Sequence, residues 1–187
     1  AVVESEFTVV DGSTDQVLVV GIIGVEQCPV VDAVSFRSDA GRAAYLRGHL
    51  PDAVHADLHC DLAAPTTPTS GRHPLPSAQD FAARLRRWGV DDDSLLLAYD
   101  DATGMWASRF WWMTAKWLGH RHVAVMDGGM RRWLQLGLPT TRDPAPTRPA
   151  GDFAARPDAG AWVDADTTQA AALDPRLENV VDEKLSR

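Results

Sequence analysis

The stretch SLLLAYDDATGMWASRFWWMTAKWLG, residues 94–119, decides the fold of this chain. Its first six residues are almost all apolar, as in a strand that is buried on both faces. A polar turn follows at residues 100–104, and Trp106, Phe110, Met113 and Trp117 then recur at helical spacing until Gly119. A buried strand, a short turn and an amphipathic helix form the repeating unit of an α/β domain.

The same alternation extends in both directions from this unit. We predict further strands at residues 29–33, 54–58 and 122–126. Helices are predicted at residues 40–46 and 130–136, and a third lies between Ser77, a serine N-cap, and Gly89. The sequence therefore predicts an α/β fold, with a parallel sheet flanked by helices on both faces.

A change in composition marks the expected domain boundary. Residues 140–161 are rich in Pro, Ala, Asp and Arg and have no hydrophobic period, which is typical of a linker. We therefore assign residues 1–140 to one domain and residues 141–187 to a linker and the start of a possible second, truncated domain. The tetrapeptide VVDE at 180–183 resembles VVDA at 30–33, so it lies where a second copy would begin.

Charge and composition exclude several function classes. The 187 residues carry a formal net charge of -8 with a pI of about 5.1, and no basic cluster occurs. We therefore expect neither a nucleic-acid partner nor a membrane partner. No apolar run is long enough to span a bilayer, so the expected location is the cytoplasm. No nucleotide-binding motif is present, and no cofactor is expected.

The two cysteines, Cys28 and Cys60, are too few for a disulfide scaffold and lack the C-x-x-C spacing of zinc or dithiol sites. We interpret both as small, partly buried side chains. Acidic residues surround Cys60, and they should raise the pKa of its thiol. Neither cysteine has the surroundings of an activated nucleophile.

The run HADLHCD, residues 55–61, offers a rival interpretation. His55, Asp57, His59 and Asp61 alternate with other residues, so on a continuous strand they would share one face and could bind a metal. We expect the strand to end near Leu58, which would break this alternation. The sequence therefore favours polar loop residues over a metal site.

Four segments together carry a resemblance to a known family. They are YLRGHLP (45–51), GRHPLPS (71–77), YD (99–100) leading to RFWW (109–112), and DGGMRRW (127–133) followed by GLP (137–139). Over residues 29–140, the chain resembles the N-terminal, non-catalytic domain of tandem-domain thiosulfate and 3-mercaptopyruvate sulfurtransferases. The resemblance implies a rhodanese-like fold. Asp52 departs from the family pattern, which usually has glycine there, so that turn is expected to be either strained or slightly rebuilt. Val34 replaces an arginine of many members.

The resemblance also implies that the catalytic cysteine lies in a second domain, in a loop of backbone amides at a helix N-terminus. Such amides stabilise a thiolate or a persulfide. The matching turn here is residues 100–104, with Asp100 at the position of the family cysteine. A carboxylate cannot form a persulfide, so no catalytic residue is assigned. Asp100 or Asp101 is interpreted as a helix cap, and a contact with a second domain stays open.

Three further residues are site candidates. By resemblance, His73 matches a histidine at the domain interface, near the active site of mercaptopyruvate enzymes, although it could simply hold its own loop. Lys184 matches an arginine that binds the anionic substrate, and it keeps the charge without the bidentate geometry. Arg109 is predicted to form an ion pair with the turn that contains Asp100 and Asp101.

Two functions therefore remain open. In the first, the chain is the N-terminal part of a sulfurtransferase that acts on a small anionic sulfur donor only with a catalytic rhodanese domain, in cis or in trans. In the second, it is a catalytically inert rhodanese-like binding or regulatory module. The sequence after Arg187 would distinguish them.

Overall fold

The computed structural model describes residues 5–10, 17–21, 30–34 and 38–173, with side chains from residue 40 onward. The chain divides into two compact units, Ala1–Pro157 and Asp158–Arg187. Cys28, Lys184 and the tetrapeptide at 180–183 lie outside the described residues.

The first unit is built on a six-stranded sheet. Its strands are β1 (Ser5–Val10), β2 (Val17–Gly21), β3 (Val30–Val34), β4 (Val54–Asp57), β5 (Leu96–Tyr99) and β6 (Val123–Met126), in the spatial order β2-β1-β6-β5-β3-β4. The pairs β3–β4, β3–β5 and β5–β6 are parallel. The four predicted strands are thus confirmed, and β5 lies in the interior of the sheet as its apolar sequence requires.

An antiparallel hairpin extends the sheet beyond the prediction. β1 pairs antiparallel with β2, with Phe7 opposite Val19, and its last residues pair antiparallel with β6, with Val9 opposite Met126. The sheet is therefore mixed, with a parallel part made by β3 to β6. The wholly parallel sheet expected from the sequence describes only that part.

Helices cover both faces of the sheet, as predicted. They are α1 (Ser38–Arg47), α2 (Ala78–Arg87), α3 (Met105–Trp111) and α4 (Gly129–Gln135). On one face, residues near α1 and α4 form a core with β5 and β6: Tyr45, Leu50, Ala53, Tyr99, Met126, Trp133 and Leu138. On the other face, Phe81 of α2 packs against Phe110 of α3, with ring centroids 6.2 Å apart. Ser77 caps α2 by accepting the Asp80 amide at 3.0 Å.

Helix α3 continues without a break into a π-helical segment, Trp112–Trp117. Within it, the amide of Leu118 donates to the carbonyl of Met113, five residues earlier. The wider turn keeps both Met113 and Trp117 buried before the chain reverses at Gly119, whose φ is 75°.

Residues 148–156, which we call the strap, pack along the first unit rather than forming a loose linker. Phe153 is 1% exposed. Three strap amides donate to carbonyls of the domain: Gly151 to Arg86 at 2.8 Å, Phe153 to Val90 at 3.2 Å and Arg156 to Leu118 at 2.9 Å. The compact unit therefore ends at Pro157, beyond the boundary expected at residue 140.

The second unit contains one helix within its described residues, α5 (Ala165–Ala172). Asp164 caps it by accepting the Thr167 amide at 2.7 Å. Across the described parts of the chain, no helix is long and apolar enough to cross a membrane.

The turn at Asp52 has the unusual backbone expected from its missing glycine. Asp52 has a φ of 64° and is the one residue other than glycine with a positive φ among those described. Aspartate tolerates this left-handed conformation better than most residues, but at a cost that glycine avoids.

Candidate functional site at the turn after strand β5

The Asp100 carboxylate lies inside a ring of backbone amides. Oδ1 accepts hydrogen bonds from the amides of Ala102 (3.0 Å) and Gly104 (2.9 Å). Oδ2 accepts from those of Trp106 (3.0 Å) and Ala107 (3.2 Å). We call these four amides the cradle. Asp100 is 1% exposed, so its negative charge is balanced by the cradle and by the N-terminal end of α3.

Asp100 therefore acts as a helix cap, as the sequence indicated, but from an unexpected position. Gly104 occupies the N-cap position itself, with a φ of 84° and no capping side chain. Asp100 reaches the same amides from upstream, across the turn. Both carboxylate oxygens are fully engaged, and the group has no further capacity for chemistry in this arrangement.

Asp101 lies apart from this network. Its side chain is exposed and lines a cleft of about 300 Å³ on the α1 and α4 side, together with Arg47, Met130 and Leu134. The structure thus separates two adjacent aspartates that the sequence treated together.

Arg109 does not pair with the Asp100–Asp101 turn, so that prediction is wrong. Its Nε and Nη2 donate to the carbonyl of Leu62 at 3.1 and 2.8 Å, and Nη2 also donates to the carbonyl of His73 at 3.0 Å. Burial lowers the pKa of the guanidinium. Arg109 instead fixes both ends of the loop 62–73, because its planar fork reaches two carbonyls at once.

His73 lies beside the first turn of α3. Its ring is 4.9 Å from that of His59 and 6.4 Å from that of Trp106, measured between centroids. Burial lowers the pKa of His73, and the neighbouring His59, Arg109 and Arg72 lower it further. A neutral imidazole is therefore favoured at neutral pH.

Trp106 connects two of the predicted site residues, because its backbone amide donates to Asp100 while its ring faces His73. Arg109 joins them through the His73 carbonyl. The fold thus brings His73, Asp100 and Arg109 to one place, at the carboxyl end of β5 and the start of α3. Asp101 faces elsewhere, and Lys184 lies outside the described residues.

The run 55–61 does not form one ligand face. β4 ends at Asp57, whose Oδ1 accepts the amides of His59 and Cys60, each at 2.8 Å. Asp61 forms an ion pair with Arg84 at 3.2 Å. The ring of His55 lies 5.4 Å from that of Tyr45, whereas His59 faces His73. No group of three metal-ligating side chains occurs among the described residues.

Cys60 is exposed, so the expectation of a partly buried side chain is wrong. Its pKa is raised, as the sequence predicted. The charge of Asp57 is the largest cause, followed by burial, the Asp57 hydrogen bond and Asp61, while Arg84 acts in the opposite direction. At neutral pH, the thiol form therefore predominates.

An open cleft of about 710 Å³ lies beside the cradle, and the sequence did not predict it. It lies between the turns that follow β5 and β6, and its lining includes residues 102–104, Trp111, Trp112, 125–129 and Arg131. The predicted parallel strands could have indicated this cleft, because the turns that follow neighbouring parallel strands lie at the same edge of a sheet.

Comparison with known proteins identifies the family. Residues 24–136 match the model of the rhodanese-like domain. The chain belongs to the rhodanese-like family. The rhodanese-like family implied by the four sequence segments is thereby confirmed.

Relatives of this rhodanese-like chain include named sulfurtransferases. It is 42% identical, over 139 residues, to the probable 3-mercaptopyruvate sulfurtransferase of Pseudomonas aeruginosa, covering 73% of this chain and 48% of that protein. It is 37% identical over 113 residues to the thiosulfate sulfurtransferase of Bos taurus, covering 58% and 36%. The rhodanese-like chain therefore spans about half the length, or less, of these relatives.

The fold agrees with solved structures of the same family. The crystal structure of SseA from Escherichia coli, one of the 3-mercaptopyruvate sulfotransferases, aligns with a TM-score of 0.66 at 30% identity, covering 80% of this chain and 57% of that one. A 3-mercaptopyruvate sulfurtransferase from Leishmania major aligns with a TM-score of 0.63 at 30% identity, covering 71% and 37%. The chain thus contains a sulfurtransferase-type rhodanese domain.

Proposed function

We propose that this chain is the N-terminal part of a thiosulfate or 3-mercaptopyruvate sulfurtransferase, which transfers sulfane sulfur to a thiophilic acceptor only together with a catalytic second domain. The observation that carries the proposal is the Asp100 carboxylate in the cradle. By resemblance, this position holds the cysteine in a catalytic rhodanese domain. The chain covers 48% and 36% of the length of two sulfurtransferase relatives.

The chemistry of sulfur transfer supports this division. A cysteine thiolate attacks the sulfane sulfur of thiosulfate or the thiol sulfur of 3-mercaptopyruvate. The S–S or C–S bond breaks and releases sulfite or the enolate of pyruvate, and the resulting persulfide passes its outer sulfur to the acceptor. Asp100 has no sulfur to form this intermediate. Cys60 has a raised pKa and lies beside Asp57 rather than in a ring of amides, so it lacks the activation that a nucleophilic cysteine needs.

In this proposal, the N-terminal half shapes the approach of the anionic donor. The loop that carries His73 is held by Arg109 through two carbonyl groups, so its position relative to α3 is fixed. His73 then faces the partner domain, with Arg72 as a nearby cation. Lys184 binds the donor's negative charge from the start of the second domain, and Asp101 contributes to the interface.

A second candidate is a catalytically inert binding or regulatory module. The same cradle favours it, because a protein with no use for an anion site can fill it permanently with its own carboxylate. The two candidates differ in whether this chain increases the sulfur-transfer activity of a catalytic domain.

The test is a thiocyanate assay with cyanide as acceptor and either thiosulfate or 3-mercaptopyruvate as donor. The chain alone should give no turnover above background, and Asp100→Cys should also fail, because Asp101 would remain beside the new thiolate. A catalytic rhodanese domain added in trans should be more active with the chain than without it, and His73→Ala should reduce that gain.

Two results would contradict the proposal. Turnover by the chain alone that disappears with Cys28→Ser or Cys60→Ser would assign catalysis to a cysteine of this chain. Equal activity of the catalytic domain with and without the chain, at concentrations that allow binding, would instead support the inert module.

A further inference from the structure

His120 is a buried histidine in the turn between the π-helical segment and β6, and the proposed sulfur chemistry does not involve it. The residue is 3% exposed. Its Nδ1 lies 3.1 Å from the amide nitrogen of His122, and its Nε2 lies 3.2 Å from the carbonyl oxygen of Asp91. Both ring nitrogens are therefore engaged with backbone groups.

These two partners determine the protonation of the ring. A backbone N–H can only donate, so Nδ1 must accept from His122 with its lone pair. A carbonyl can only accept, so Nε2 must carry the hydrogen that bonds to Asp91. The neutral tautomer with hydrogen on Nε2 satisfies both contacts. A proton added at Nδ1 would oppose the N–H of His122 and break that bond.

The same ring supports the strap. Its centroid is 5.2 Å from that of Phe153, the buried aromatic residue of residues 148–156. Beside it, Asp92 accepts the amide of Ala154 at 2.9 Å and pairs with Arg156. His120 thus lies where the Asp91 turn, the 120–122 turn and the strap converge.

The charged groups around His120 partly cancel one another. Burial is the largest influence, and it lowers the pKa of the ring. The Asp91 carbonyl and the Asp92 carboxylate raise this pKa, whereas His122 and Arg156 lower it. The balance opposes protonation of His120 in the folded protein.

We propose that His120 is a pH-sensitive latch that holds the strap against the domain while its ring is neutral and releases the strap when Nδ1 is protonated. Protonation removes the bond to His122 and places a charge on a ring that is 3% exposed, where it is poorly solvated. Phe153 packs against this ring, so movement of the strap away from the domain exposes it to water. The segment that joins the first unit to residues 158–173 would then become mobile at acidic pH.

The direction of the pH dependence follows from linkage. In the folded state the pKa of His120 lies below the ordinary histidine value of 6.5, so the opened state binds more protons between the two pKa values. The contribution of the latch is therefore complete above about pH 6.5 and is lost as the pH falls through the folded pKa.

Hydrogen exchange of the full chain between pH 7.5 and 5.0 tests the latch, after correction for intrinsic exchange rates. The protection of the Gly151, Phe153 and Arg156 amides should fall by up to about tenfold per pH unit within the titration window of His120. Amides inside α2 should keep their protection. His120→Gln, which cannot titrate, should remove the slope. His55→Gln, which alters another histidine with a lowered pKa, should retain it.

A second measurement applies even if His120→Gln does not fold. Nitrogen-detected NMR of the wild-type ring should show hydrogen on Nε2 at neutral pH, and the strap amides should shift with the same midpoint as His120. The latch is overturned if strap protection is constant over this pH range, if the slope persists in His120→Gln, or if His120 titrates without any change in the strap.

Discussion

Gly129 lies directly against the backbone of Asp100. A Cβ atom at position 129 would overlap the Asp100 carbonyl oxygen, and the same carbonyl accepts the amide of Met130 at 2.9 Å. The turn after β6 thus closes onto the turn after β5 through backbone atoms of Gly129, Met130 and Asp100. The cradle depends on this contact, because it fixes the residue whose carboxylate fills it.

Gly129→Ala should therefore destabilise the domain by about 3 kcal/mol, combining the overlap with a φ of 53° that alanine disfavours. Gly137→Ala is the matched control, since Gly137 has a φ of 67° but no atom within 4 Å of its Cβ position. That variant should lose only about 1 kcal/mol, the backbone cost alone. Urea denaturation of both variants measures the difference, and equal losses would argue against the contact.

Asp100→Ala should cost about 3 kcal/mol or more, because four amide donors, two of them fully buried, lose their acceptor together. Asp101→Ala, at the exposed neighbour, should change stability by less than about 0.5 kcal/mol. Thermal denaturation in matched buffers compares the two. Similar melting temperatures for the two variants would show that the cradle hydrogen bonds contribute little to stability.

The raised pKa of Cys60 should make its alkylation slow at pH 8. Asp57→Asn keeps a side-chain oxygen for the Cys60 amide but removes the charge that raises this pKa most, so the reaction with iodoacetamide should become several-fold faster. Asp61→Asn should have a smaller effect. Rates are measured in a Cys28→Ser background, and an unchanged rate in Asp57→Asn would contradict the electrostatic cause.

Phe153→Ala should destabilise the first unit by about 3–5 kcal/mol, the usual cost of emptying a buried aromatic site. Leu134→Ala, at a side chain that is 55% exposed, is the control and should have little effect. Equilibrium denaturation distinguishes the outcomes. A small loss of stability in Phe153→Ala would show that the strap packs only loosely on the domain, as a linker would.

Much of this architecture could be predicted from local sequence patterns. The apolar run before Tyr99, the Ser77 cap and the helical stripe from Trp106 each specify their element within a few residues, so the parallel part of the sheet follows. The unusual backbone at Asp52 was predictable only from the family resemblance, because the family usually has glycine at that position.

The sequence-based predictions that were wrong or incomplete concern contacts between residues far apart in the chain, which no local pattern encodes. The strap has a single buried aromatic residue, Phe153, and is held by backbone hydrogen bonds, so it shows no hydrophobic period. Arg109 was assigned to the nearest acidic residues in sequence, but the fold brings the Leu62 and His73 carbonyls to its guanidinium. The β1–β2 hairpin depends on pairing with β6, far along the chain.

The Asp100 carboxylate is an anion tethered to its own binding site, so its effective concentration there is fixed by the covalent chain and does not vary with solution conditions. In a site that binds an anion from solution, the occupancy, and hence the rigidity, depends on the concentration of that anion. The cradle of this domain is occupied by the Asp100 carboxylate as soon as the domain folds. The start of α3 therefore keeps one conformation whether sulfur donors are abundant or absent, which makes it a constant reference surface for whatever binds beside it.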